Sequence, residues 1–192
     1  MTKRRSAQKR RRKTSNQNKL PPILAVVGRS RSGKTRLVES LIRALTKKGY
    51  AVGTVKDAKG GFQLDLEGKD SAKHYRAGAQ GVVIVSAQQK EVAFIAHLEE
   101  DLSVTELCER FFPDVDLILL EGFKDLPVPK IETTCGESLY CGNDATLAAV
   151  VGQASNPPDN VPCFSFEDIP VLVRLIERTL GLSVPEQRDR PA

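Results

Sequence analysis

Histidine is almost missing from this 192-residue chain, cysteine is sparse, and long apolar runs are absent. The two histidines, His74 and His97, lie in distant segments. The four cysteines, Cys108, Cys135, Cys141 and Cys163, form no C-x-x-C pair. Cys135 and Cys141 are close enough to share a metal if their loop curls, but their spacing matches no zinc pattern, so no zinc site is expected. Four scattered cysteines also argue against a disulfide framework. No apolar run approaches the ~20 residues that cross a bilayer. The basic N-terminus is not followed by an apolar core and small-residue cleavage site, so no secretory signal is read and a cytoplasmic location is expected.

Acid is the other absence, confined to one place. Residues 1–19 hold nine Lys and Arg and no Asp or Glu, although the whole chain carries 29 bases and 24 acids. Without that stretch the remainder holds 20 bases against 24 acids, a net charge of −4, so the formal +5 belongs to the tail. Met1 and Ala7 are its only apolar residues. Such a segment cannot bury enough surface to offset its conformational entropy, and it is expected to be a disordered, solvated extension. A contact with RNA, anionic lipid or an acidic partner is its alternative use. Three regions follow: a basic tail over 1–20, a folded domain over 21–182 and a polar tail over 183–192.

What the chain does have is alternation. Short branched apolar runs, "PPILAVVG" (21–28), "YAVGTVK" (50–56), "VDLILLEGF" (115–123), "TLAAVVG" (146–152) and "VPCFSF" (161–166), read as strands. "GVVIVS" (81–86) and "EVAFIAH" (91–97) form a hairpin-like pair, and "PVPKIET" (127–133) reads as a strand interrupted by prolines. Between them lie helical patterns: 34–49 with a basic last turn and Gly49 as stop, 69–79, 103–112 and 167–180. Ser103 with Glu106 forms a capping box, and Ser165 is placed as N-cap of the last helix with Asp168 three residues on. The fold expected is α/β: a mainly parallel sheet flanked by helices, with right-handed crossovers.

The first strand runs into "GRSRSGKT" (28–35), which fits G-x-x-x-x-G-K-[ST] without a mismatch. Gly28, Arg29, Ser30, Arg31, Ser32 and Gly33 would turn their backbone N–H groups around a phosphate, which needs glycine's freedom at both ends. Lys34 would reach the β- and γ-phosphates, and the Thr35 hydroxyl would ligate Mg²⁺. Arg29 and Arg31 are read as charges at the rim of the cleft. Glu121 ends four branched apolar residues, a position an acid tolerates only where the strand opens on a polar site, so it is assigned to the magnesium shell. Asp116, before that run, is read as a solvated strand-start residue. Asp57 closes the second strand as a third edge group able to reach the γ-phosphate or an attacking water, with Lys56 and Lys59 suited to anions.

In their order and spacing, the phosphate loop with its strand and helix, then "GKDSAKHYRAGAQGVVIVS", then "DLILLEGFKDLPVPKIE" resemble the MobB family, the molybdopterin-guanine dinucleotide biosynthesis adaptors. The likeness covers roughly residues 22–180. It implies a P-loop NTPase of the SIMIBI type that binds GTP and Mg²⁺, forms a homodimer and has weak GTPase activity at most. It further implies work beside the MobA-type guanylyltransferase that attaches GMP to molybdopterin, with molybdopterin or a molybdoenzyme as further partners. By position the resemblance makes Glu121 the Walker B acid, and Lys69, Asp70, Ser71 and Lys124 residues facing the same cleft. Asp57, Lys59 and Gly60 stand where family members carry histidines. Gln153 stands where the family has a Ser-Asp suited to reading guanine, and a Gln can still accept from and donate to a purine. A small-molecule P-loop kinase is the runner-up reading, and an NTPase tied to RNA by its tail the third.

Overall fold

A computed structural model describes residues 20–61, 70–98 and 100–185. The basic tail at 1–19, Lys69 and most of the loop read at 60–68, and the end of the polar C-terminal tail lie outside the described residues. Strand β1 (Ile23–Gly28) leads into helix α1 (Lys34–Lys47), and β2 (Val52–Lys56) follows. Helix α2 (Asp70–Arg76) then precedes the hairpin of β3 (Gly81–Ser86) and β4 (Glu91–Ala96). The remaining elements are α3 (Val104–Phe111), β5 (Leu117–Glu121), β6 (Lys130–Cys135), β7 (Leu147–Gln153), β8 (Cys163–Phe164) and α4 (Ile169–Leu180).

Six strands form one sheet in the order β2-β5-β1-β6-β7-β8, and every pairing in it is parallel. This is the expected α/β architecture, and the reason lies in the strands. Leu24, Ala25, Val26, Leu117, Ile118, Leu119 and Leu120 are all fully buried, so both faces of β1 and β5 are covered. One face packs Leu24, Val26, Leu117 and Leu119 against Leu37, Leu41 and Leu45 of α1 and Leu172, Val173 and Ile176 of α4. The other packs Ala25, Val27, Ile118 and Leu120 against Cys108 of α3 and side chains of the loops after β5 and β6. The β3–β4 hairpin stands apart as a two-stranded antiparallel sheet, with α2 packed on β3.

The local signals were mostly sufficient. Ser103 accepts the Glu106 backbone N–H at 3.2 Å and the Glu106 carboxylate accepts the Ser103 N–H at 2.8 Å, the reciprocal capping box. Gly181 ends α4 in a left-handed conformation, φ 63°. Three readings change. Helix α4 starts later than expected, with Asp168 in the N-cap position and Pro170 in the first turn. Ser165 instead closes a turn, its N–H donating to the Asp168 carboxylate at 2.8 Å. Strand β6 begins only after Pro129, whose lone carbonyl still accepts the Ala25 N–H at 2.9 Å. Asp116 is not a merely solvated charge: its carboxylate accepts the Ala51 N–H at 2.7 Å and fastens the start of β5 to β2.

Behind β6 lies a buried charge. Lys130 is 1% exposed. Its ammonium donates to the carbonyls of Leu126 (2.6 Å) and Val128 (3.3 Å), to Thr146 Oγ1 (2.7 Å) and to Asp144, 2.9 Å away. A buried ammonium is tolerable only when its donors are used in this way. One side chain thus ties the loop after β5 to the turn before β7.

The same hydrogen bond from Lys130, with those from Thr146, depresses Asp144 from 3.8 to about 2. A depressed acid contributes stability above its unfolded value and loses it as pH falls through the folded one. Urea unfolding should therefore show a loss on the order of 1 kcal/mol between about pH 4 and pH 2, because the carboxylate is partly open to solvent. Asp144→Asn should lower stability at pH 7 by about 1–3 kcal/mol and flatten that acid limb, since Lys130 loses its charge partner.

Candidate functional site

The carboxyl ends of β1, β2 and β5 open on one cleft of about 840 Å³, lined by residues of the 28–36 turn, the end of β2 and the 121–125 turn. Ligands of parallel sheets sit at that edge, where the connections leave in opposite directions. The parallel pairing sets Val26 opposite Glu121 and Glu121 opposite Lys56. The three strand ends therefore finish at one level.

The 28–35 turn is shaped by its glycines. Gly28 has φ 137°, and a Cβ there would lie 2.3 Å from the Thr133 carbonyl oxygen. Gly33 has φ 95°, and a Cβ there would lie 2.5 Å from the Phe166 ring. Arg31 between them is also left-handed, φ 64°. Neither end of the turn admits a larger residue, for reasons of φ and space alike. Gly33 forms the N-cap of α1 without a side-chain cap, and no acid occupies the first turn. The first N–H donors of the helix and the positive end of its dipole thus face the cleft.

Ser32 is buried under the turn, with Oγ 2.6 Å from Thr133 Oγ1 and donating to the Arg29 carbonyl at 2.9 Å. Lys34 lies across it, donating to the carbonyls of Gly28 (3.0 Å) and Arg29 (2.6 Å). Thr35 Oγ1 donates to Glu121 Oε1 at 2.9 Å, and Lys56 pairs with the same oxygen. Gly122 turns the chain just beyond, φ 101°, with its N–H on the Val26 carbonyl at 3.0 Å. The Asp57 N–H donates to the Glu121 carbonyl at 3.1 Å, so the second and fifth strands stay paired to the rim.

Of the residues singled out by sequence, Gly28, Ser30, Arg31, Gly33, Lys34, Thr35, Asp57, Glu121 and Lys124 line this cleft. Lys59 does as well, 3.9 Å from Asp57 Oδ2. Lys124 donates to Asp125 at 2.9 Å, and that bond raises its pKa above the ordinary lysine value. Ser32 supports the turn from below.

Arg29 departs from the expectation. Its guanidinium pairs with Glu137 at 3.1 Å, donates to Ser138 at 3.3 Å and lies 4.4 Å over the Tyr140 ring. It braces the loop after β6 and does not line the cleft. Asp70 and Ser71 are not brought there either. With α2 packed on the hairpin, they line a separate shallow depression beside β3, and Asp70 pairs with Lys73 at 3.1 Å. Lys69 lies outside the described residues. Gln153 ends β7 beyond the cleft lining, its carbonyl accepting the Gly136 N–H at 2.6 Å.

The structure adds residues that no motif announced. Phe166 fills the space beneath Gly33 and stacks under the Arg36 guanidinium at 4.7 Å. Tyr140 reaches the cleft because buried Glu132 accepts the N–H groups of Tyr140 (2.6 Å) and Cys141 (2.8 Å). The only sequence signal was the alternation of Lys130, Glu132 and Thr134 along β6, three polar side chains on one face of a buried strand.

The donor set fits the groups that the loop motif implies. Thr35 and Glu121 present hard oxygen ligands side by side, as Mg²⁺ prefers, with room for water and phosphate oxygens. The glycine turn fits a phosphate because its backbone can approach where a Cβ would clash. Among the described residues no three His, Cys, Asp or Glu side chains are grouped to hold another metal. No described helix is long and apolar enough to cross a membrane.

Comparison with known proteins agrees with this geometry. A sequence model of the family described as molybdopterin guanine dinucleotide synthesis protein B matches residues 23–153. The molybdopterin-guanine dinucleotide biosynthesis adapter protein of Haemophilus influenzae is 37% identical over 111 residues, 57% of this chain and 61% of that protein. The Escherichia coli protein of the same name is 36% identical over 111 residues, 57% of this chain and 63% of its own length. The match thus spans a little over three fifths of these relatives. A crystal structure of molybdopterin-guanine biosynthesis protein B superposes with a TM-score of 0.66 at 28% identity, covering 83% of this chain and 99% of the other. The Bacillus subtilis MobB structure does so with a TM-score of 0.64 at 29% identity, covering 83% and 98%. A family match across most of the folded domain, on the fold and motifs described above, means that this chain belongs to the MobB family.

Proposed function

We propose that the chain is a GTP-binding adaptor, acting in the cytoplasm, that assists attachment of GMP to molybdopterin. The observation that carries this reading is the Thr35–Glu121 contact at the mouth of a glycine-built phosphate turn, in a chain of the MobB family. Gly28 to Thr35 hold the phosphates, with Lys34 leaving its loop carbonyls to meet the anion. Thr35 and Glu121 hold Mg²⁺, which supplies charge neutralisation at the phosphates. Asp57, at the same rim, lies where a water could be oriented, and Lys124 adds positive charge from the opposite wall. The partner is the guanylyltransferase that transfers GMP, with hydrolysis by the adaptor itself slow.

The reading includes a homodimer, and the hairpin supports it. In register, Val83 faces Phe94 and Val85 faces Val92 across the hairpin. These four are 59%, 45%, 70% and 70% exposed. An apolar ribbon face of this kind is the feature that association covers.

Three measurements check the proposal. A fluorescent GTP analogue should bind in the presence of Mg²⁺, and Lys34→Ala should weaken it by ~1.5–3 kcal/mol through loss of a charge-assisted contact; undiminished binding would refute the site. GTP should compete better than ATP, with turnover below the ~1 s⁻¹ floor of kinases. In light scattering the protein should have twice the chain mass, and Val85→Glu should shift it toward a monomer without altering GTP affinity.

A further inference from the structure

Glu121 Oε1 is the meeting point of two donors, the Thr35 hydroxyl and the Lys56 ammonium. The sequence placed Thr35 and Glu121 at one magnesium site and read Lys56 as suited to anions. The structure pairs Lys56 with Glu121, directly across the β2–β5 ladder. The two side chains are unequal: that of Glu121 is 12% exposed, that of Lys56 60%. A carboxylate so enclosed needs a countercharge. Of the other cations lining the cleft, Lys34 lies on loop carbonyls, Lys59 beside Asp57, Lys124 on Asp125 and Arg36 over Phe166.

We propose that Lys56 is the resident counter-ion of Glu121, its ammonium standing where a divalent cation binds the Thr35–Glu121 pair, so that cation and ammonium exclude each other. The inference rests on the reading of this cleft as a Mg²⁺–nucleotide site. Two positive centres cannot share one carboxylate oxygen at contact distance without strong repulsion. A divalent cation held by Thr35 and Glu121 would take the Glu121 Oε1 lone pairs that the ammonium now uses. Lys56 can leave at small cost, because its side chain is largely in solvent and reaches the rim from the end of β2. While it stays, it neutralises Glu121, so a metal-free triphosphate entering the cleft does not meet a bare carboxylate. Lys56 thereby weakens cation binding in the empty cleft and lessens the penalty on nucleotide without metal.

The test uses the full chain, with Mn²⁺ as a paramagnetic probe of the cation site and fluorescent GTP analogue binding measured in chelator and in Mg²⁺. Lys56→Met should tighten Mn²⁺ binding to the nucleotide-free protein by about three- to tenfold and weaken metal-free nucleotide by a similar factor. Binding of nucleotide with Mg²⁺ should change far less. Lys56→Arg, which keeps the charge, should stay near wild type in both assays, whereas Glu121→Gln should abolish the Mn²⁺ response. If wild type binds nucleotide and Glu121→Gln removes Mn²⁺, yet Lys56→Met changes neither assay, this inference fails and the nucleotide site stands. If wild type binds no nucleotide with or without metal, the nucleotide reading fails and takes this inference with it.

Discussion

The parallel register of β1, β2 and β5 is the constraint on which the site depends. Val26 pairs with Glu121 and Glu121 with Lys56, so the glycine turn, the acid and its lysine end at the same height above the sheet. A slip of one residue in β5 would turn Glu121 to the opposite face and drive a leucine toward the polar cleft. What prevents the slip is burial on both faces. Alternate residues of β5 enter two different cores, one under α1 and α4 and one under α3 and the loops. Precise placement of a few polar atoms is thus a by-product of packing branched apolar side chains on either side of one sheet.

Around that frame the polar groups form a second, smaller system. Thr133 and Ser32 hold the glycine turn from beneath, Glu132 gathers the N–H groups of Tyr140 and Cys141, and Lys130 secures the loop after β5. Three residues of β6, Lys130, Glu132 and Thr133, therefore hold three different segments around the cleft. Buried polar groups of this kind are costly unless every one is satisfied, and here each has a partner.

Much of this could be read from residues alone. Strands β1 and β5 were legible because continuous branched runs have few alternatives, and the loop motif because its chemistry demands fixed spacing. Ser103 and Glu106 marked a helix start correctly because the box is a local exchange of hydrogen bonds. Ser165 and Asp168 showed the same letters and gave a turn, since Pro170 fits the first helical turn and moves the start forward. Arg29 was misplaced for a different reason. Nothing local says that a guanidinium in a phosphate loop will face a tyrosine more than a hundred residues away. The pairing of Lys56 with Glu121 was not legible either, because that neighbour is set by a crossover and not by its own strand. Asp70 shares a motif with cleft residues but travels with α2 and the hairpin.

Arg29 has a mechanical meaning as well. It leaves the glycine turn through its side chain while its carbonyl takes bonds from Lys34 and Ser32 inside it. Its guanidinium is fixed to Glu137, Ser138 and Tyr140, and the Tyr140 backbone is anchored in turn to Glu132. A strut therefore runs between two rims of the cleft, fastened at both ends to the same strand, β6. The opening on that side is cross-braced, whereas Lys56, Asp57 and Lys59 stand on the opposite rim at the end of β2.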